Sequence, residues 1–180
     1  MNLEIVSNRV RKPADLDFLL ELAFNNFKKP NGCKTKEEYR RLMQPWMENP
    51  AQGIVMAYND QSPVGFALHC EPSHHEAEMY SDIVTKKVIP PFNYEYSRAR
   101  TIEMIVVEEG HRGRGIGKVI ATRVIEDCER IGTKQLFAVC WKGMEGPSYH
   151  LFMKLGFMDL CLCPKYYQDG ASGVVVLKQL

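Results

Sequence analysis

The sequence predicts an α/β (α+β) protein, a mostly antiparallel mixed sheet flanked by helices on both faces. Three observations predict it. Short apolar runs rich in β-branched residues alternate with stretches whose apolar residues recur at helical spacing. One such run, Ile102-Glu103-Met104-Ile105-Val106-Val107, passes through a Gly-rich loop, Arg112-Gly113-Arg114-Gly115-Ile116-Gly117, into a long amphipathic segment. Finally, 180 residues, 45% hydrophobic and 25% charged, suit one domain spanning 1–180 with a buried core.

The elements follow in order. Residues 3–6 form a short first strand. Pro13 opens a helix with an apolar stripe of Leu16, Leu19, Leu20, Ala23 and Phe27, and residues 28–32 break it. The capping box Thr35-Lys36-Glu37-Glu38 starts a second helix carrying Tyr39, Leu42 and Met43. Pro45 and then Asn49-Pro50 are expected to end it. Residues 53–58 and 64–69 read as an antiparallel hairpin around the turn at 59–63. The stretch 70–100 is the hardest to read. It is helical around 76–88 and stopped by Pro90-Pro91. Beyond, Phe92, Tyr94 and Tyr96 alternate, as a strand or as the wall of an open pocket.

After the central strand and its loop, Ile116, Ile120, Val124, Cys128 and Ile131, joined by Val119 and Ile125, make a helical stripe that Gly132 ends. Residues 135–141 are a strand. Gly146-Pro147 opens a short helix running through Leu155 to Gly156. Two last strands, 158–163 and 173–180, flank a polar turn at Gln168-Asp169-Gly170. The order is β-α-α-β-β-β-α-β-α-β-β.

Composition excludes several classes. A formal net charge of +1 gives no reason to expect nucleic-acid binding. No apolar run reaches membrane-spanning length, and Met1-Asn2-Leu3-Glu4 does not read as a signal peptide. Six cysteines without a Cys-x-x-Cys pair suit a reducing cytoplasm, and Cys161 and Cys163 on one face of a strand suit packing. No metal site is expected. His74-His75 lacks a third ligand, and His111 reads as solvent-facing.

A strand, a Gly-rich loop and a helix in succession aim free backbone N–H groups and the positive end of a helix dipole at one spot. Glycines admit a bulky anion, and Arg112 and Arg114 add charge, so the loop reads as a phosphate cradle. A turn that merely tightens the strand–helix connection is the plainer reading. The nucleotide-triphosphate loop fails here, because Gly117-Lys118 has Arg112 where the first Gly belongs and Val119 where the hydroxyl belongs. The dinucleotide fingerprint fails too, at Lys118 and Ile120. What fits is Arg-x-x-Gly-x-Gly, which resembles motif A of the GNAT superfamily of acetyl-CoA-dependent N-acetyltransferases. Leu151-Phe152-Met153-Lys154-Leu155-Gly156-Phe157 resembles that family's motif B, and the two motifs span Thr101 to Phe157.

The resemblance implies the GNAT fold and acetyl transfer from acetyl-CoA, a co-substrate, to a primary amine of a small molecule or peptide, by direct attack in a ternary complex. It implies that the pantetheine arm pairs with the backbone of Ile105, Val106 and Val107. The pyrophosphate would meet the N–H groups of Arg112, Gly113, Arg114, Gly115, Ile116 and Gly117, with Lys118 alongside. The family often places a proton-accepting carboxylate on the central strand, and Glu103 is the acid there, counted onto the face of Ile105. Pairing with a neighbouring arginine, Arg98 or Arg100, is the alternative reading. Many members protonate the leaving thiolate with a motif B Tyr, and Phe152 stands at that position. Tyr149, three residues earlier, is the nearest replacement or else a core aromatic, and His150 is on a different face. A homodimer is implied by resemblance only. A CoA-binding module without catalysis is the competing reading, and the acceptor amine is not legible.

Overall fold

A computed structural model describes residues 2–7, 13–27, 33–49, 51–87 and 94–180. The breaks expected at 28–32, Pro50 and Pro90-Pro91, and the aromatic Phe92, lie outside the described residues. The elements are β1 (Leu3–Ser7), α1 (Pro13–Phe27), α2 (Lys36–Met47), β2 (Gly53–Asn59), β3 (Ser62–Cys70), α3 (His74–Lys87) and β4 (Ala99–Val107), then α4 (Ile116–Arg130), β5 (Gln135–Trp141), α5 (Pro147–Lys154), β6 (Met158–Cys163) and β7 (Gly173–Gln179). The expected order holds with one helix added, α3, between β3 and β4.

One seven-stranded sheet has the order β1-β2-β3-β4-β5-β7-β6. Every neighbouring pair is antiparallel except β4–β5, which is parallel. One apolar layer packs Ile116, Ile120, Val124 and Cys128 of α4 and Phe152 of α5 under the sheet. On the other face, Leu19, Ala23 and Tyr39 of α1 and α2 cover one half, and Tyr80 and Val84 of α3 cover the other. Helices thus lie on both faces, as the alternation of apolar runs requires. No helix among the described residues is long and apolar enough to cross a membrane.

Three local expectations need correcting. Pro45 lies inside α2, which runs on to Met47. Tyr39, Met43 and Met47, all buried, anchor one face at four-residue spacing, and that packing outweighs the one backbone hydrogen bond a proline forfeits. Ile131 is 61% exposed and Val119 42% exposed, so neither belongs to the buried stripe of α4. Ile131 sits beyond the last helical residue, where Gly132 and Thr133 donate to the carbonyls of Glu129 and Cys128 and close the helix end. Tyr94 and Tyr96 form no strand. Tyr94 packs edge-on against Phe137, and Tyr96 lies in a 3-10 turn at Tyr96–Arg98.

Gly53 shows how tightly the β2–β3–β4 region is built. A Cβ there would fall 2.0 Å from His69 Nε2. The imidazole is held from its other nitrogen, which accepts from Arg100 Nε at 3.1 Å, and burial first, then the Arg100 charge, lower its pKa to about 4. Gly53→Ala is therefore expected to cost about 1–3 kcal/mol, read as a lower urea midpoint. An unchanged midpoint would mean that the ring can swing aside.

Candidate active site

β4 and β5 pair only from Ala99↔Gln135 to Ile102↔Ala138 and then part. Beyond Ile102, β4 stays paired with β3 as far as Val107↔Gly65, while β5 stays paired with β7. Among the described residues, the edge of β4 that faces β5 is left without a partner strand. Glu108 N–H donates to Val64 O at 2.9 Å, so by the alternation of an antiparallel ladder Val106 turns its polar groups to Phe66 in β3. Ile105 and Val107 turn theirs into the gap. Of the three arm-site residues expected from the sequence, Val106 has its backbone engaged by β3, and the Val107 carbonyl accepts from Arg112 Nε at 2.8 Å, which leaves the Ile105 groups and the Val107 N–H.

The loop after β4 behaves as a strand–Gly loop–helix junction should. Arg112 N–H donates to Glu109 O, and Val119 N–H to Gly115 O. The N–H groups between them, Gly113 to Lys118, meet no acceptor among the described residues. Gly113 and Gly115 have φ of 75° and 82°, and Gly115 caps α4 without a side chain to satisfy its first turn. A Cβ at Gly115 would meet nothing within 4 Å. An open, uncapped helix start of this kind fits a diphosphate. A Cβ at Gly117 would lie 3.7 Å from Val107 and 3.8 Å from Leu151, so the loop, the end of β4 and α5 meet here.

Arg114 and Lys118 are exposed beside these amides. Arg112 has a different task from the one its position suggests. Its Nε donates to Val107 O at 2.8 Å and its guanidinium to Asn26 Oδ1 of α1 at 2.9 Å, bracing the end of β4 against α1. His111, expected in solvent, packs instead against Glu108 at 2.9 Å with a side chain only 24% exposed.

Glu103 is on the face opposite to the one expected. Leu68 pairs with Met104 but His69 with Ile102, so Glu103 is an extra residue in β4, a bulge. The bulge breaks the period of two. Ile105 packs on the α4 side, whereas Glu103 lies beneath α3, where Cys70 Sγ donates to its Oε1 at 3.7 Å and Glu76 hydrogen-bonds to it. Neither arginine named as a partner pairs with it. Arg98 reaches Glu95 at 3.8 Å, and Arg100 is bound to His69 and to the Ala51 carbonyl. Burial, and then the Glu76 charge, raise the Glu103 pKa to about 8.

Two further residues border this face, and no local pattern points to them. Tyr167, just before the turn expected at Gln168-Asp169-Gly170, donates its hydroxyl to Val139 O at 2.8 Å, on the part of β5 that has left β4. Burial first, with the charges of Glu76 and Glu103 behind it, pushes the neighbouring Tyr166 hydroxyl well up. Glu76 did leave a signal, Ser73-x-x-Glu76, a capping box at the start of α3. On α5, Phe152 is 2% exposed and packs against Phe157 with ring centroids 4.8 Å apart. Tyr149 is half-buried against the α4-side core with its ring edge-on to His150. Among the described residues no group of three or more His, Cys, Asp or Glu could hold a metal ion.

Comparison with known proteins adds four findings. The model of the acetyltransferase (GNAT) family matches residues 17–157. Streptothricin acetyltransferase of Streptomyces lavendulae is 31% identical over 77 residues, 43% of this chain and 40% of that protein, so the match spans about two fifths of the relative's length. An N-acetyltransferase from Staphylococcus aureus Mu50 superposes with a TM-score of 0.72 at 19% identity, covering 99% of each chain. A chain of the NatC complex bound to Gag peptide and CoA superposes at 0.70 and 17% identity, covering 100% of this chain and 99% of that one. At these identities the superpositions speak for the fold.

Proposed function

The chain belongs to the acetyltransferase (GNAT) family, and from that premise we propose an N-acetyltransferase that moves an acetyl group from acetyl-CoA to a primary amine by direct attack in a ternary complex. The observation that carries the reading is one juxtaposition. Unpaired N–H groups at the start of α4 adjoin the unpaired edge of β4, and a partly buried carboxylate sits on that same strand. The amides of Gly113 to Lys118, with Arg114 and Lys118, would hold the pyrophosphate. The Ile105 backbone and the Val107 N–H would take the pantetheine arm as an added strand takes a sheet edge, with the Val107 carbonyl held by Arg112. Arg112 keeps that edge in place.

Acetyl-CoA brings an acyl group already activated as a thioester. What remains for the protein is orientation and two proton movements. An alkyl ammonium of pKa about 10.4 is almost wholly protonated at neutral pH and cannot attack until it loses a proton. Glu103, with its pKa raised toward that of the amine, receives it. A thiol pKa near 8.5 makes the departing sulfur a fair leaving group, so a donor there is worth about 10- to 100-fold. Tyr149 is the candidate donor, since Phe152 has no hydroxyl and belongs to the core.

Tyr149→Phe is accordingly expected to lower turnover about 10- to 100-fold with CoA affinity and melting temperature unchanged. A wild-type rate in that variant would take Tyr149 out of the mechanism and leave the proton to water. Phe152 also favours a second reading, a CoA-binding module without catalysis. Thiol release from acetyl-CoA, measured across a panel of monoamines, polyamines and peptide N-termini, separates the two. Release that depends on one class of amine establishes transfer and names the acceptor. None of the six cysteines is paired in a disulfide, which suits a reducing cytoplasm.

A further inference from the structure

We propose that Cys161 and Cys163 of β6 form a two-thiolate site for one soft, thiophilic cation, univalent copper being the ion that fits. The site stands apart from the acetyl-transfer reading and does not depend on it.

The geometry begins with the strand. β6 comes last in the order of the sheet and pairs with β7. Leu160 is an extra residue between Asp159↔Val176 and Cys161↔Val175, and from Cys161 the ladder runs regularly to Cys163↔Gly173. Cys161 and Cys163 therefore share a face, the one that packs with Ile83 of α3, while Leu162 between them is 56% exposed on the other side. Their Sγ atoms stand 3.5 Å apart, in contact, and both residues are only half-buried. Other thiols have different neighbours: Cys70 donates to Glu103, and Cys128 Sγ lies 3.6 Å from His69 Nδ1.

Two chemistries suit touching thiols, a disulfide and a shared cation, and the strand decides between them. Residues two apart on a strand have Cα atoms about 6.4–6.8 Å apart, the outer limit for a disulfide. Their Cβ atoms start about as far apart, where a disulfide needs about 3.5–4.5 Å. A sulfur–sulfur bond would have to buckle β6 out of its ladder with β7. A bridging cation asks less. With metal–sulfur bonds of about 2.3 Å, two thiolates on one ion lie about 3.8 Å apart at a tetrahedral angle and farther as that angle opens. The sulfurs need only move slightly apart. Among the described residues no third His, Cys, Asp or Glu joins the pair, which leaves zinc short of its usual four ligands. Univalent copper is satisfied by two thiolates, and apolar neighbours such as Ile83 and Leu160 disfavour a hard, hydrated ion. Each thiol gives its proton to solvent as its copper–sulfur bond forms, and no electron is transferred.

The test uses the full chain, reduced and kept free of oxygen, titrated against the coloured Cu+ complex of a bathocuproine chelator. The wild type should draw one Cu+ per chain from the chelator. Cys161→Ser and Cys163→Ser, each nearly isosteric, should lower that affinity at least about 100-fold, because one thiolate remains where two are needed. Cys33→Ser, which removes another half-buried thiol, should leave it unchanged. A second measurement needs no variant and so no assumption about folding. Bound Cu+ should shield Cys161 and Cys163 of the wild type from iodoacetamide and leave Cys33 open, as peptide mass spectrometry locates. No Cu+ drawn from the chelator, wild-type affinity in either β6 serine variant, or copper that shields other cysteines instead would each overturn the proposal.

Discussion

Gly115→Asp is expected to leave a folded protein whose affinity for CoA falls at least about 100-fold. The fold should survive for two reasons. A Cβ at Gly115 meets nothing within 4 Å, and aspartate is among the residues that tolerate a φ of 82° at modest strain. Binding should fail because the new carboxylate would sit among the unpaired amides of Gly113 to Lys118 and cap the helix those amides open. A diphosphate must then displace it and face a like charge a few ångströms away, worth about 3–4 kcal/mol at an effective dielectric near 20. Each 1.4 kcal/mol is tenfold. Gly115→Ala imposes the same backbone strain without the charge and should lose much less. Wild-type protein should gain about 2.7 kcal/mol of stability at a CoA concentration 100 times Kd, a rise of roughly 5–10 °C in melting temperature for a chain of this size. Calorimetry decides the matter: undiminished CoA affinity in a folded Gly115→Asp protein would show that the loop is not the diphosphate cradle.

That loop was legible because its signal is local. A β-branched run, three glycines within five residues and an amphipathic stretch each follow from residue type, and so did the strand–loop–helix order around β4 and α4. The hairpin of β2 and β3 was legible on the same ground, with Asp60 and Gln61 turning at positive φ. Helix α3 was half-legible. Its middle reads as helical, but its start was missed although Ser73-x-x-Glu76 marks it. Pro45 shows the limit of propensity, since Tyr39, Met43 and Met47 bury one face of α2 straight past it.

What stayed hidden was the placement of side chains by irregular backbone. Counting by twos from Ile105 puts Glu103 on the α4 side. One extra residue opposite Leu68 and His69 reverses that, and no residue type announces it. Arg112 was read as a charge for the ligand because it begins the Gly-rich motif. Its partners, Val107 O and Asn26, become neighbours only when α1 packs beside the end of β4. Tyr166 and Tyr167, just before the expected turn at Gln168-Asp169-Gly170, carry no local signal for the same reason, because Tyr167 meets Val139 O on the parted stretch of β5, far away in sequence.

Glu103→Gln should cut turnover about 100-fold or more at neutral pH, with a deficit that shrinks as pH rises. Without a base the reaction depends on amine already free in solution. For a pKa near 10.4 that is about one molecule in 2,500 at pH 7 but about one in nine at pH 9.5. On the proposed mechanism the wild type escapes this limit through Glu103, whose pKa of about 8 leaves a useful ionised fraction at neutral pH and makes a stronger base than an ordinary carboxylate. The same shift has a stability signature of fixed sign. The folded pKa lies above the unfolded carboxylate value near 4.5, so the favourable contribution is complete below that value and is lost as pH rises through 8. Glutamine cannot ionise, and the melting temperature of the variant relative to wild type should therefore climb between pH 5 and pH 9. Rate and stability thus move in opposite directions with pH, as expected when a carboxylate is buried for chemistry and not for structure. A turnover loss uniform across pH, with a melting-temperature difference that does not vary, would assign Glu103 to packing and remove it from proton transfer.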